Sequence, residues 1–319
     1  MDVTAYALLG AQAAQYKKSE MFSSKAALDL PPMMPVEAQA QNECFLSLKS
    51  GDDMNKGLLT GALGGVGTPM GVFLAIDAFK SGDNNFAMAL SLFALAMFLI
   101  PFLWEVLTPV SSPTLFNRRT REVYFQHKGH LYHTPWDGIG AVAVEYTMVH
   151  QNIGAMTNSP LEILMHRFGK PDERIFVAVG LPMGKTLELQ QHVWAYLQAY
   201  MDRGPWLDEH GIATDSPRHT QQLLKTSICK RRNDIKDTWL RLKETRSGTH
   251  TLQMFIDLVF YPTSVIWDIT GSIARNRSQY NWPDEVLDRL KPDGPTSRLI
   301  DIERAAVPLI PGSQKGTTE

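Results

Sequence analysis

Two apolar runs joined by a short polar link constrain this chain more than anything else in it. From Gly57 to Phe79 the only charge is Asp77, and from Phe86 to Trp104 there is none. A bilayer core takes about 20 helical residues at about 1.5 Å rise each, so either run is long enough to cross. The link, Lys80-Ser81-Gly82-Asp83-Asn84-Asn85, leaves the second helix no course but to return antiparallel to the first. The sequence therefore predicts a transmembrane helical hairpin over residues 57–104. Lys49 and Lys56 precede it and Arg118, Arg119 and Arg121 follow it, against Lys80 alone in the turn. Basic residues stay on the cytoplasmic side, so both termini are expected there.

The first apolar run carries Gly57, Gly61, Gly64, Gly65, Gly67 and Gly71. Small residues four apart let another backbone approach closely in lipid, where packing rather than hydrophobicity drives association. The simplest partner for that face is the second helix; a second protein or another copy of the chain is the alternative. Pro69 and Pro101 are tolerated in such helices when neighbours satisfy the freed carbonyls.

Residues 1–56 read as an N-terminal cytoplasmic tether, with Pro31, Pro32 and Pro35 interrupting any helix. Asp2 precedes the first apolar stretch and Lys17 and Lys18 follow it, the reverse of a secretory signal, so no cleavage is expected. Two cysteines, Cys44 and Cys229, lie far apart with no metal-ligand spacing and fit a reducing compartment. A net charge of −2 argues against general nucleic-acid binding.

Past Pro113 the texture becomes β-like. Thr114–Phe125 and Leu131–Pro135 flank the turn His127-Lys128-Gly129-His130, and Ile139–Thr147, Leu161–Phe168 and Arg174–Gly180 read as further strands. A helix from about Leu187 to Met201 stops at Gly204-Pro205. The expected fold class is α+β: a two-helix hairpin, then a β-rich cytoplasmic domain at 111–205 with a small antiparallel sheet of pleckstrin-homology-like type, then a helical region at 206–319 with a mobile tail. A helix over Thr220–Thr245 carries Lys230, Arg231 and Arg232, read as a solvated face or as a contact with anionic lipid. The run Leu252–Ala274 contains Asp257 and Asp268 with Pro262 between them, which favours a buried or interfacial helix over a third span.

No catalytic set stands out, and no cofactor or metal is expected. Gly180-Leu181-Pro182-Met183-Gly184-Lys185-Thr186 imitates a phosphate-binding loop but is one residue short between its glycines, and Pro182 removes a donor. His127, His130 and His133 are spaced by three, yet no carboxylate or thiol lies near enough in sequence to complete a metal set.

The order of features carries a resemblance. A hairpin is followed by Phe116-Asn117-Arg118-Arg119-Thr120-Arg121-Glu122-Val123-Tyr124, Thr134-Pro135-Trp136-Asp137, Trp194 through Tyr200 to Gly204-Pro205, and Asn281-Trp282-Pro283-Asp284. This resembles the bacterial family catalogued as domain of unknown function 6708, over residues 40 to 290. The resemblance implies a multi-pass inner-membrane protein without enzymatic activity that binds a protein partner, as immunity or accessory factor for a type VI secretion effector. A pore-forming effector and a lipid-binding scaffold are the alternatives. Asn117, Trp136, Trp194, Tyr200, Gly204, Pro205, Trp282 and Pro283 are read as structural positions. Arg118, Arg119 and Arg121 are read as able to meet lipid phosphates, and the glycine face as a route to homo-oligomers.

Overall fold

A computed structural model describes residues 3–51, 55–150, 154–224, 235–240, 248–278 and 282–306. In chain order its elements are α1 (Val3–Ala14), β1 (Lys18–Ser23), β2 (Ala38–Gln41), β3 (Phe45–Leu48), α2 (Leu58–Lys80) and α3 (Asn84–Leu107). Then come β4 (Thr114–Asn117), β5 (Glu122–His127), β6 (His130–Pro135), β7 (Gly140–His150), β8 (Gly154–Asn158), β9 (Leu161–Arg167) and β10 (Lys170–Ala178). Helices α4 (Leu187–Gln198), α5 (Arg218–Leu223), α6 (Gly248–Arg277), α7 (Asp284–Leu290) and α8 (Leu299–Ala306) follow. They form two compact units, one of Met1–Leu48, Pro113–Thr214 and Trp282–Glu319, the other of Lys49–Ser112 and Asp215–Asn281.

The first unit is a mixed α+β body on one ten-stranded antiparallel sheet in the order β1-β7-β9-β6-β5-β4-β3-β2, with β8 on β7 and β10 on β9. Its core stacks Phe22, Trp194 and Trp136, with ring centroids 5.8 and 5.4 Å apart, and Phe116 edge-on to Trp136. The hairpin turn at 127–130 is as the sequence predicts: Lys128 (φ 51°) and Gly129 (φ 76°) both take the left-handed conformation of a type I′ turn. Helix α4 runs into a π-turn at Ala199–Arg203 and ends at Gly204, whose N–H bonds Ala199 O at 3.1 Å.

Several expectations are corrected. Residues 1–56 are not a tether: α1 and three strands of the sheet lie there, and Pro31, Pro32 and Pro35 fall in the connection between β1 and β2. The strands are only four to six residues long, too short for an alternation to stand out. Thr114–Phe125 is two strands, because the Asn117 side chain accepts from Arg119 N (2.9 Å) and Thr120 N (3.1 Å) and turns the chain. Residues 299–306 are helix α8, within the region expected to be helical, and the end of the tail, expected to be mobile, lies outside the described residues. Of the helix expected at 220–245, Arg218–Leu223 and residues 235–240 are helical, while Lys230, Arg231 and Arg232 lie outside the described residues.

In the second unit α2 and α3 form an antiparallel hairpin. Gly82 (φ 86°) makes the reversal, and Asp83 caps α3 by accepting from Phe86 N at 3.1 Å. Both helices are long and apolar enough to cross a bilayer, and only 33% and 17% of their most apolar stretches are buried. Phe73, Phe79, Ile100 and Trp104 are each at least two-thirds exposed. Helix α6 packs against the start of α2 and against α3.

Candidate functional site

The densest group of ionisable side chains in the first unit sits where α8 meets the sheet. His133 on β6 is the register partner of both Tyr124 on β5 and His166 on β9, which puts all three on one face. Glu122, two residues before Tyr124, shares that face. Its carboxylate is fully buried and accepts from Tyr124 OH (2.9 Å), Leu299 N (2.8 Å) and Ile300 N (3.1 Å), so it caps the first turn of α8. One turn along α8, Glu303 reaches the histidines: its Oε2 is 3.2 Å from His133 Nε2 and 2.9 Å from His166 Nε2, while Oε1 accepts from Gly169 N. His133 Nδ1 faces Glu122 Oε1 at 3.6 Å.

The imidazoles lie with centroids 4.4 Å apart. His133 is wholly buried, and neither of its ring nitrogens, 3.6 Å from Glu122 and 3.2 Å from Glu303, has a properly aligned hydrogen-bond partner. Burial works against a charge on His133, but Glu122 and Glu303 outweigh it and raise its affinity for a proton. Burial, and the neighbouring His133, push His166 the other way. Glu303 is held ionised, with a pKa lowered to about 2, because the two histidines and Gly169 N–H overcome its burial. His166 also lines a cavity of about 230 Å³, beside Asp137, Arg174, Ile300 and Arg304.

No family model, curated protein or solved structure matches this chain.

The sequence pattern found only one member of this cluster. His127 stacks on Phe125 and His130 Nδ1 meets the Arg167 guanidinium at 3.0 Å, so neither joins His133. His166 and Glu303 do, although Glu303 is 137 residues beyond His166. No local spacing announces such a set; it follows from the β6–β9 register.

The other singled-out residues divide cleanly. In the 180–186 stretch Lys185 Nζ forms a buried ion pair with Glu37 at 2.6 Å, and Leu181 N donates to the same oxygen at 3.0 Å. The anion this loop holds is the protein's own carboxylate. Arg121 donates to Asp137 and Asp202, each at 2.8 Å, and to Met201 O; Trp136 Nε1 also reaches Asp202, at 3.3 Å. Arg119 donates to the carbonyls of Lys291 and Gly294, and Asn117 Nδ2 to Arg289 O at 3.0 Å. The expected lipid-facing role of Arg119 and Arg121 therefore gives way to one inside the fold: they tie the β4–β5 turn to the end of α4 and to the segment after α7. Arg118 is half-buried, and its N–H bonds Cys44 O at 2.8 Å. Tyr200 OH donates to Asn42 O at 3.0 Å, Pro205 O accepts from Gln41 Nε2, Trp282 is buried, and Pro283 opens α7. Each of these residues is engaged within the fold.

The glycine face is filled from within the chain. A Cβ at Gly57 or Gly61 would meet the backbone of α6 at Trp267 O (2.2 Å) or Thr263 O (2.7 Å), and one at Gly65 would lie 2.5 Å from Thr263 Cα. Gly67 and Gly71 instead face α3, at Met97 and Ala94, and Gly64 lies between the two partners, with Phe98 on α3 and Ile266 on α6 both in reach. Two faces of one helix are used, by two partners. At the base of the hairpin the buried Glu105 carboxylate accepts from Leu59 N (3.1 Å), Thr60 N (3.0 Å) and Thr60 Oγ1 (2.5 Å), capping α2, and Lys56 Nζ donates to the carbonyls of Glu105 and Thr108.

Proposed function

We propose that this chain is a non-enzymatic inner-membrane protein that holds a folded domain at the cytoplasmic face and binds a partner protein there. The observation that carries the membrane part is the outer surface of α2 and α3: large apolar side chains such as Phe73, Ile100 and Trp104 are about two-thirds exposed among the described residues. A soluble body seldom tolerates so large a contiguous apolar surface. Strands β3 and β4, between which the hairpin is inserted, are paired with Leu48 opposite Thr114. The two ends of the insertion are thus side by side, which supports two crossings that start and finish on the same side. The flanking basic residues support the cytoplasmic side. Seven antiparallel strands at 114–178 closed by α4 support the pleckstrin-homology-like reading of that segment.

The partner assignment rests on the resemblance to the domain of unknown function 6708 family: immunity or accessory factor for a type VI secretion effector. The filled glycine face favours this over a pore-forming effector, which needs a packing face left free for other copies.

Two measurements test the reading. After alkaline carbonate extraction the full chain should stay with the membrane pellet; recovery in the supernatant would overturn the membrane assignment. Co-expressed with a type VI secretion effector from the same genome, the chain should co-purify with that effector and relieve its toxicity. Unchanged toxicity without co-purification would remove the partner assignment and leave the membrane one standing.

A further inference from the structure

The cluster under α8 is assembled in a way its structural duties do not explain. Glu122 alone caps α8, and the Leu299 side chain, fully buried, supplies an apolar anchor. Neither duty needs two imidazoles. Yet His133 Nε2 and His166 Nε2 converge on the same oxygen, Glu303 Oε2, and the buried His133 ring has no aligned hydrogen-bond partner on either nitrogen. A buried imidazole left without such partners is costly unless something else engages it.

We propose that His133 Nε2, His166 Nε2 and the Glu303 carboxylate form a binding site for a divalent transition-metal ion, with Zn²⁺ the best fit. The ligand set is two neutral-capable imidazoles and one carboxylate, a combination that zinc accepts with bonds of about 2.0–2.2 Å. Ligand atoms on a tetrahedron of that size are about 3.3 Å apart. The three atoms here lie within 4.8 Å of one another, and the two histidine-to-carboxylate separations are 2.9 and 3.2 Å, so small side-chain shifts suffice. His133 Nδ1 lies 3.6 Å from Glu122 Oε1, a turn of the ring short of a hydrogen bond, and Glu122 is itself held by Tyr124 OH and two backbone N–H groups. A metal-bound histidine whose far nitrogen faces a fixed carboxylate is the usual outer-shell arrangement, which sets the tautomer and strengthens the ligand. The cavity lined by His166 and by Ile300 and Arg304 of α8 gives the ion a way in. Because Glu303 is on α8 and the histidines are on β6 and β9, the ion staples the C-terminal helix to the sheet.

The test uses the full chain in detergent, carrying no histidine tag and stripped with EDTA. Titrated with Zn²⁺, it should take up one ion per chain by elemental analysis, melt at a higher temperature, and show slower amide exchange over residues 299–306. Co²⁺ should give the intense visible bands of a tetrahedral site, a readout that needs no variant. His166→Ala and Glu303→Gln should abolish the stoichiometric ion, and Asp301→Asn, an exposed neighbour on α8, should keep it. If Zn²⁺ leaves melting and exchange unchanged and Co²⁺ stays octahedral, the cluster is an ion pair only and the proposal fails. Uptake that persists in both ligand variants would equally overturn it, since the ion would then be bound elsewhere.

Discussion

Glu145 illustrates how single side chains in this protein do work that composition hides. On β7 its Oε2 accepts from Leu187 N at 3.0 Å, at the first turn of α4, and its Oε1 pairs with Lys18 Nζ at 2.6 Å. The backbone N–H of Leu187, then Lys18, hold its carboxyl below the ordinary range. A carboxylate with a depressed folded-state pKa adds stability that is present above its unfolded value, near 4.3, and is lost as pH falls through the folded value. Glu145→Gln should therefore melt a few degrees below the parent at neutral pH, and the gap should close as pH drops below about 4. A gap that stays constant across an acid series of thermal melts would show that the charge is not the source. The sequence marks Glu145 only as one polar position in an alternating strand. Arg121 is similar: read as a basic residue near a membrane, it is spent on Asp137 and Asp202, acids that the sequence places 16 and 81 residues away.

Elements were legible in proportion to how much of their signal is local. The α2–α3 hairpin is written in some 50 consecutive residues, and the β5–β6 turn in Lys128-Gly129, so both emerge from pattern alone. The glycine face was legible as a close-packing surface, but not its division between α3 and α6, because α6 joins from more than 180 residues further along the chain. That division makes a sharp prediction. Gly65→Val sets its Cβ 2.2 Å from Thr263 Oγ1 and 2.5 Å from Thr263 Cα, against backbone that cannot rotate away. It should destabilise the detergent-solubilised chain by about 1–3 kcal/mol, the usual scale of overpacking. Adding Thr263→Ala should not rescue it, since Thr263 N, at 2.7 Å, and Cα remain. Gly10→Ala, on a helix with nothing within 4 Å, should instead be neutral or stabilising by up to about 1 kcal/mol. Denaturant unfolding of the three variants distinguishes these outcomes; a benign Gly65→Val would mean that α6 does not pack there.

For the whole molecule the chain's connectivity limits what α6 can be. Pro113–Thr214 and Trp282–Glu319 belong to one compact unit, so the excursion between them crosses a bilayer an even number of times or not at all. If α6 crossed once, residues 215–247 would have to cross as well. That stretch carries Lys230, Arg231, Arg232, Lys236, Asp237, Arg241 and Lys243. At roughly 2.5–3.5 kcal/mol for each basic or acidic residue near a helix centre, such a crossing is ruled out. Helix α6 nevertheless exposes Leu258, Val259 and Phe260, and it packs against the first part of α2, where Gly61 and Gly65 lie. Both facts fit a helix lying in the membrane interface at the foot of the hairpin, its apolar side turned to the acyl boundary. Cysteine labelling in intact cells measures this directly, in a Cys44→Ser, Cys229→Ser background. A membrane-impermeant maleimide should reach Ser81→Cys in the α2–α3 link from outside, and should reach Ser247→Cys, just before α6, only after the cells are opened. Labelling of Ser247→Cys from outside would put the start of α6 across the bilayer and show that residues 215–247 and α6 each cross it, against the interfacial placement.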